Sequence, residues 1–179
     1  MDGRKITVVD TTMRDGSHAI KHSFDTEQVA RLAKGLDQCG VPIIELSHGD
    51  GLGGSSYTYG FSKVDQYALL EAAAKEIQNA KLAVLLLPGI GTIENLKQAN
   101  TCGATAVRVA THVTEGDVSA QHIAAAKEMG LFTCGFLMMV HMAPVETVVA
   151  EAKKMESYGA DYINLADSAG YLLPEGVLE

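Results

Sequence analysis

With 179 residues, 47% of them hydrophobic, and a mean hydropathy of +0.09, the chain is long enough for one well-buried domain and too apolar for disorder. A net charge of −8 with no lysine or arginine run argues against nucleic acid or an anionic membrane as partner, since both select basic patches. Cys39, Cys102 and Cys134 form no C-x-x-C, which argues against a disulfide framework or zinc knot and points to a reducing cytoplasm.

The first strand is predicted over Lys5-Ile6-Thr7-Val8-Val9-Asp10, a short β-branched run bounded by polar residues. Asp10-Thr11-Thr12-Met13-Arg14-Asp15-Gly16-Ser17-His18 follows, so a guanidinium, a carboxylate and an imidazole crowd at the C-terminal end of that strand. In α/β folds that end binds ligands. The first helix opens on the capping-box-like Asp25-Thr26-Glu27-Gln28, turns Val29, Leu32, Ala33 and Leu36 inward, and stops at Gly40. Strand two is expected over 41–46, then a Gly/Ser/Tyr loop over 49–61, a helix over 64–80 and strand three over 82–87, closed by Pro88-Gly89. That apolar run is far too short to span a bilayer, and the polar start Met1-Asp2-Gly3-Arg4-Lys5 lacks the apolar core of a signal peptide.

A third helix is expected over 92–101 with Ile93, Leu96 and Ala99 inward, strand four over 106–110, a fourth helix over 119–129 and strand five over 131–138. Pro144 opens a fifth helix with one apolar stripe, Val145, Val148, Val149, Ala152 and Met155, and strand six covers 162–166. Each cycle ends helix-Gly-strand, at Cys39-Gly40, Cys102-Gly103, Met129-Gly130 and Tyr158-Gly159. Serial right-handed βα units make a parallel sheet, open or closed. Polar residues follow nearly every strand: Arg14 and Asp15, Ser47-His48, Thr111-His112, His141, Asp167-Ser168. Such a spread favours a (β/α)8 TIM-barrel type over an open sheet with one switch point. Eight units need about 250 residues, so the chain reads as a partial barrel of about six strands and five helices, cut short as a sixth helix begins.

For several residues the sequence leaves two readings. Arg14-Asp15 serves as an active pair or as a plain ion pair at the barrel mouth, and His18 as a proton carrier or a loop histidine with one hydrogen bond. His22 is four residues from His18, a spacing read as chance because the pair is expected in a loop. His48, His112 and His141 line a pocket or support it from behind, and His122 is expected to face solvent on its helix. The 49–54 glycines lack the Lys-Ser/Thr of a P-loop and suit a lid or a tight turn. Asp167-Ser168 also fits a helix cap, and Met138, Met139 and Met142 suit packing of the barrel end.

Asp10-Thr11-Thr12-Met13-Arg14-Asp15-Gly16 resembles the opening motif of the metal-dependent TIM-barrel lyases, and Ser17-His18-Ala19 narrows the likeness to their 4-hydroxy-2-oxovalerate aldolase group. The segments 48–56, 85–91, Arg108-Val109-Ala110-Thr111-His112, 135–139 and Ala166-Asp167-Ser168 agree with that group, so the resemblance covers essentially all of residues 1–179. It implies the N-terminal part of a class II aldolase that cleaves 4-hydroxy-2-oxopentanoate to pyruvate and acetaldehyde through a metal-stabilised enolate, in aromatic hydrocarbon catabolism. By resemblance, Asp15 ligates a divalent metal, usually Mn²⁺; Arg14 binds substrate and stabilises the enolate. His18 is the base on the 4-hydroxyl, and Ser168 contacts the pyruvoyl carboxylate. An acylating acetaldehyde dehydrogenase is the implied partner.

The family's remaining metal ligands, a His-x-His, and a late tyrosine are absent from this sequence, which leaves half a metal site. Two alternatives stay open: another pyruvate-handling lyase or acyltransferase of the same barrel, against which Ser17-His18-Ala19 speaks, and a catalytically silent partial barrel. Raw edges at strands one and six would favour self-association.

Overall fold

In the computed structural model, whose described residues are 6–178, strand and helix alternate throughout. The elements are β1 (Val9–Met13), α1 (Thr26–Gln38), β2 (Ile43–Leu46), α2 (Gln66–Ala74), β3 (Lys81–Leu86), α3 (Ile93–Thr101) and β4 (Ala106–His112). The series continues with α4 (Ala120–Glu128), β5 (Phe132–Met138), α5 (Val145–Ser157), β6 (Tyr162–Leu165) and the short α6 (Pro174–Val177). Turns of 3₁₀ helix cover Asp15–Ile20, Gly116–Ser119 and Val140–Met142.

All six strands are parallel and lie in chain order, β1 to β6. With no reversal of order there is no switch point, and the sheet curls as a half-barrel. Among the described residues β1 and β6 do not pair. They face one another across a cavity of about 490 Å³, with Thr7, Val9 and Thr11 on one side and Tyr162 and Asn164 on the other.

Strand side chains alternate between two faces. Outward, Ile44, Leu46, Val84, Leu86 and Val109 meet helix residues such as Val29, Ala33, Leu70, Leu96 and Ile123 in the main core. Inward, Ile43, Ala83 and Ala106 pack with Val9 and Phe132 in a smaller lumen cluster. Truncating a leucine as enclosed as Leu70 costs about 2–5 kcal/mol, so the helix-facing layer carries the fold.

Local signals place the helices. The Asp25 carboxylate accepts from the Gln28 amide and the Gln28 side chain accepts from the Asp25 amide, both at 3.0 Å. Thr92 and Asn95 make a second reciprocal cap. Two boundaries differ from the sequence reading. β1 begins at Val9 rather than Lys5, which lies outside the described residues, because pairing of Val9 with Ile43 and Asp10 with Ile44 sets where the strand runs. α2 ends at Ala74, not 80: the buried Asp37 carboxylate takes the amides of Gln78, Asn79 and Ala80 at 3.2, 2.9 and 2.7 Å and holds them out of the helix. The same amides hold its carboxyl below the usual range. On α5, Val148 and Met155 are buried as expected, whereas Val145 and Val149 are exposed. The three cysteines are free thiols, and no described helix is long and apolar enough to cross a membrane.

Candidate active site

Along β1 the register against β2 slips between Asp10 and Met13. Three steps on β1 match two on β2, because Asp10 faces Ile44 and Met13 faces Leu46. An extra residue of this kind re-aims the side chains after it. Val9 and Thr11 line the lumen cavity, but Met13 is fully buried in the outer core. Arg14 is thereby delivered inward, toward β2.

There it meets Glu45, whose side chain is wholly buried. Arg14 Nε donates to Glu45 Oε2 at 2.7 Å, and Arg108 Nη1 from β4 donates to both Glu45 oxygens at 3.0 Å. The Arg108 guanidinium also lies 4.3 Å from the Phe136 ring centre. One buried carboxylate thus holds two guanidinia and leaves the group one positive charge in excess. Arg14 Nη1 further donates to Asp15 Oδ1 at 2.9 Å and reaches the Gly49 carbonyl at 3.5 Å. Asp15 itself is largely exposed.

The imidazoles assemble beside this group. Lys21 and His22 both adopt left-handed φ, 53° and 55°, which non-glycine residues rarely do. The reversal returns the His22 amide to the Ser17 carbonyl at 2.8 Å and stacks its ring on His48 at 3.7 Å between centres. His18 meets His22 edge-on at 5.0 Å. The spacing of His18 and His22 is therefore structural, not chance. It is realised through a 3₁₀ turn and a reversal that a search for regular helix does not find.

Glycines make this possible. A Cβ on Gly49 would lie 2.3 Å from His18 Nε2, and one on Gly54 2.5 Å from His48 Nδ1. Gly51 and Gly53 take φ of 85° and 76°, and between them the fully buried Leu52 donates its amide to the Leu85 carbonyl at 2.8 Å. Of the two roles open for this loop, the tight turn is the one observed. Burial first, then neighbouring imidazoles, lowers the pKa of both His22 and His48, while Asp50 opposes the shift.

Ser168 lies elsewhere. Its hydroxyl accepts the Met139 amide at 3.1 Å at the β5–β6 edge, and among the described residues no hydrogen bond joins it to the Arg14 group. Beside it, Asp167 accepts the Leu172 amide at 2.7 Å and lies 3.0 Å from His141 Nδ1. Asp167 thus ties down a turn rather than capping a helix. His112 pairs with Thr114. His122, expected to face solvent, is buried, on a groove it shares with the 88–94 segment. Met142, expected to pack, is exposed.

Glu45 and Arg108 escaped the sequence reading. The signal was available: a lone charge within Ile43-Ile44-Glu45-Leu46 and another within Val107-Arg108-Val109 must find partners once those strands are buried.

Among the described residues one group of metal-capable side chains converges. It comprises His18, His22 and Asp50, with ligand atoms within 4.8 Å of one another. Asp15 is not in it and offers a single carboxylate, fewer ligands than a divalent cation takes from a protein site.

Residues 5–179 match the HMGL-like family. The chain is 61% identical over 177 residues to a 4-hydroxy-2-oxovalerate aldolase of Moorella thermoacetica, covering 99% of this chain and 52% of that protein. It is 56% identical over 174 residues to one of Geobacillus stearothermophilus, covering 97% and 51%. The chain spans about half the length of these relatives. Among solved structures it resembles the N-terminal domain of a putative aldolase from Bacteroides vulgatus, with TM-score 0.74 and 22% identity over 97% of this chain and 58% of that one. It also resembles the carboxyl transferase domain of Rhizobium etli pyruvate carboxylase, with TM-score 0.78 and 19% identity over 98% and 33%. At such identities these two structures speak to the fold alone.

Proposed function

The chain belongs to the HMGL-like family, and from that premise we propose that it is the N-terminal part of a class II aldolase cleaving 4-hydroxy-2-oxopentanoate to pyruvate and acetaldehyde. Its relatives, 4-hydroxy-2-oxovalerate aldolases, support this reading. The observation that carries it is the Arg14 guanidinium, gripped through Nε by a buried carboxylate, with an exposed imidazole on the same glycine turn.

In a retro-aldol cleavage the 4-hydroxyl loses its proton, the C3–C4 bond breaks, and the electron pair collects as an enolate on the 2-oxo oxygen. In this reading His18 accepts the proton, as the exposed imidazole that lies against the Gly49 turn beside Arg14. Arg14 receives the developing negative charge. Its Nε and Nη1 are occupied by Glu45 and Asp15, so the guanidinium cannot swing away, and fixed cations of this kind act without reorganising. Glu45 is thus a positioning residue. Asp15 is the proposed ligand of a divalent cation, Mn²⁺, which when bound supplies Lewis-acid polarisation of the 2-oxo group. The chain contributes only that one ligand to the cation. Ser168 is the proposed contact of the substrate carboxylate, a role that requires the rim from β6 round to β1 to be completed. A cytoplasmic setting, an acylating acetaldehyde dehydrogenase as acceptor of the aldehyde, and self-association through the unpaired edges of β1 and β6 complete the proposal.

The test is pyruvate release from 4-hydroxy-2-oxopentanoate with Mn²⁺, by this chain alone and by the chain joined to the C-terminal half of the M. thermoacetica relative. Turnover by the joined protein but not by the chain alone is expected, because the joined half supplies the missing ligands. No turnover by either would leave a silent half-barrel and overturn the reading.

A further inference from the structure

We infer that His18, His22 and Asp50 form a binding site for a borderline transition-metal ion, Zn²⁺ by class, separate from the carboxylate of Asp15. Their ligand atoms already lie within 4.8 Å of one another. Around a tetrahedral zinc with bonds of about 2.0–2.1 Å the donors stand about 3.4 Å apart, so closure from 4.8 Å needs a movement of up to about 1.4 Å. His18, exposed at the surface of its 3₁₀ turn, can supply it.

Hydrogen bonding decides which nitrogen His22 offers. The Ser17 hydroxyl has one proton and gives it to the Arg14 carbonyl at 2.6 Å. Its 3.0 Å contact with His22 Nδ1 must then be N–H donating to oxygen. In the neutral ring that leaves the lone pair on Nε2, and the Tyr59 carbonyl, the ring's other hydrogen-bond neighbour, has to give way to the metal. A ligating histidine held through its other nitrogen in this way is the ordinary arrangement of metal sites.

His48 is not a ligand. Its Nδ1 accepts the Asp50 amide at 3.1 Å and its Nε2 donates to the Gly60 carbonyl at 3.2 Å, so both nitrogens are used. It serves as the wall against which the His22 ring stacks, and the same bond fixes the Asp50 backbone. Two imidazoles and one carboxylate suit Zn²⁺ or Co²⁺ better than Mg²⁺, which favours oxygen. Three protein ligands leave a fourth position for water. One consequence rests on the function proposed above: metal here consumes the lone pair of His18 and would inhibit proton transfer. The binding itself does not rest on that function.

Co²⁺ titration of tag-free protein, followed by visible d–d absorption and reversed with Zn²⁺, tests the site without using turnover. One equivalent is expected to bind. Asp50→Asn and His18→Gln should each weaken binding at least tenfold, Asp15→Asn should bind as wild type, and millimolar Mg²⁺ should not displace the cobalt. Circular dichroism checks folding, and His18→Gln, altering an exposed side chain, carries the test if a buried variant unfolds. Absence of saturable binding in wild type, loss of binding in Asp15→Asn, or unchanged affinity in both Asp50→Asn and His18→Gln would overturn the inference, whether or not the aldolase reading stands.

Discussion

The two ends of the sheet's C-terminal rim are built differently. At β1–β2 a wholly buried Glu45 grips Arg14 and Arg108, His22 stacks on His48, and glycines at 49 and 54 leave room for nothing larger than hydrogen. At β5–β6 the exposed Ser168 hydroxyl accepts a single amide, and Leu165 and Tyr171 stand 52% and 71% exposed nearby. The first end is organised before any ligand arrives. The second lacks a covering neighbour among the described residues. A cation fixed by desolvated partners is what enolate stabilisation needs, whereas a substrate-carboxylate contact tolerates later assembly.

Removing the anchor of the first end should have the largest effect. Glu45→Ala strands two guanidinia without their shared carboxylate, and breaking a buried pair costs about 3–5 kcal/mol. Urea unfolding would read this directly, and a loss below 1 kcal/mol would mean that water already reaches the group. Gly51→Ala comes next: it forces a left-handed φ of 85° on alanine and sets a Cβ 2.8 Å from the Leu85 carbonyl oxygen. About 1–3 kcal/mol should be lost.

Acid should act on the first end before the second. His22 and His48 have pKa values lowered from 6.5, so between that value and their folded pKa the unfolded chain binds more protons than the folded one. Stability is therefore full above about pH 6.5 and falls as pH drops below it. Asp167, at the second end, has a carboxyl lowered from 3.8, so its contribution is lost only in stronger acid. Thermal melts in metal-free buffer at pH 7.5 and 5.5 should show the wild-type Tm falling more than that of His22→Gln; equal falls would remove the imidazoles from the account. Smallest of all, Ser168→Ala gives up one exposed hydrogen bond and should cost about 0.5 kcal/mol or less, measured by the same urea titration.

Much of this contrast was legible in the chain. The helix cap at Asp25, the helix-Gly-strand joints and the order of six strands are local signals, and local signals survive folding. The grouping of Arg14, Asp15 and His18 was readable as a string. What the string concealed depends on partners distant in sequence: Glu45 and Arg108 are 63 residues apart, and the β1 register slip exists only relative to β2. His22 was misjudged because two consecutive left-handed residues have no signature without glycine. Ser168 was placed with Arg14 by resemblance, and within the described residues the two belong to opposite edges of the sheet.

The central claim is that Arg14, held by Glu45, bears the charge of a pyruvate enolate. Exchange of pyruvate methyl protons into D2O, followed by proton NMR with Mn²⁺ and the chain joined to its relative's C-terminal half, tests it without the aldehyde. The account predicts exchange that falls about 10²–10³-fold in Arg14→Ala, the usual cost of losing one oxyanion-stabilising donor. Exchange at the wild-type rate in Arg14→Ala would contradict it.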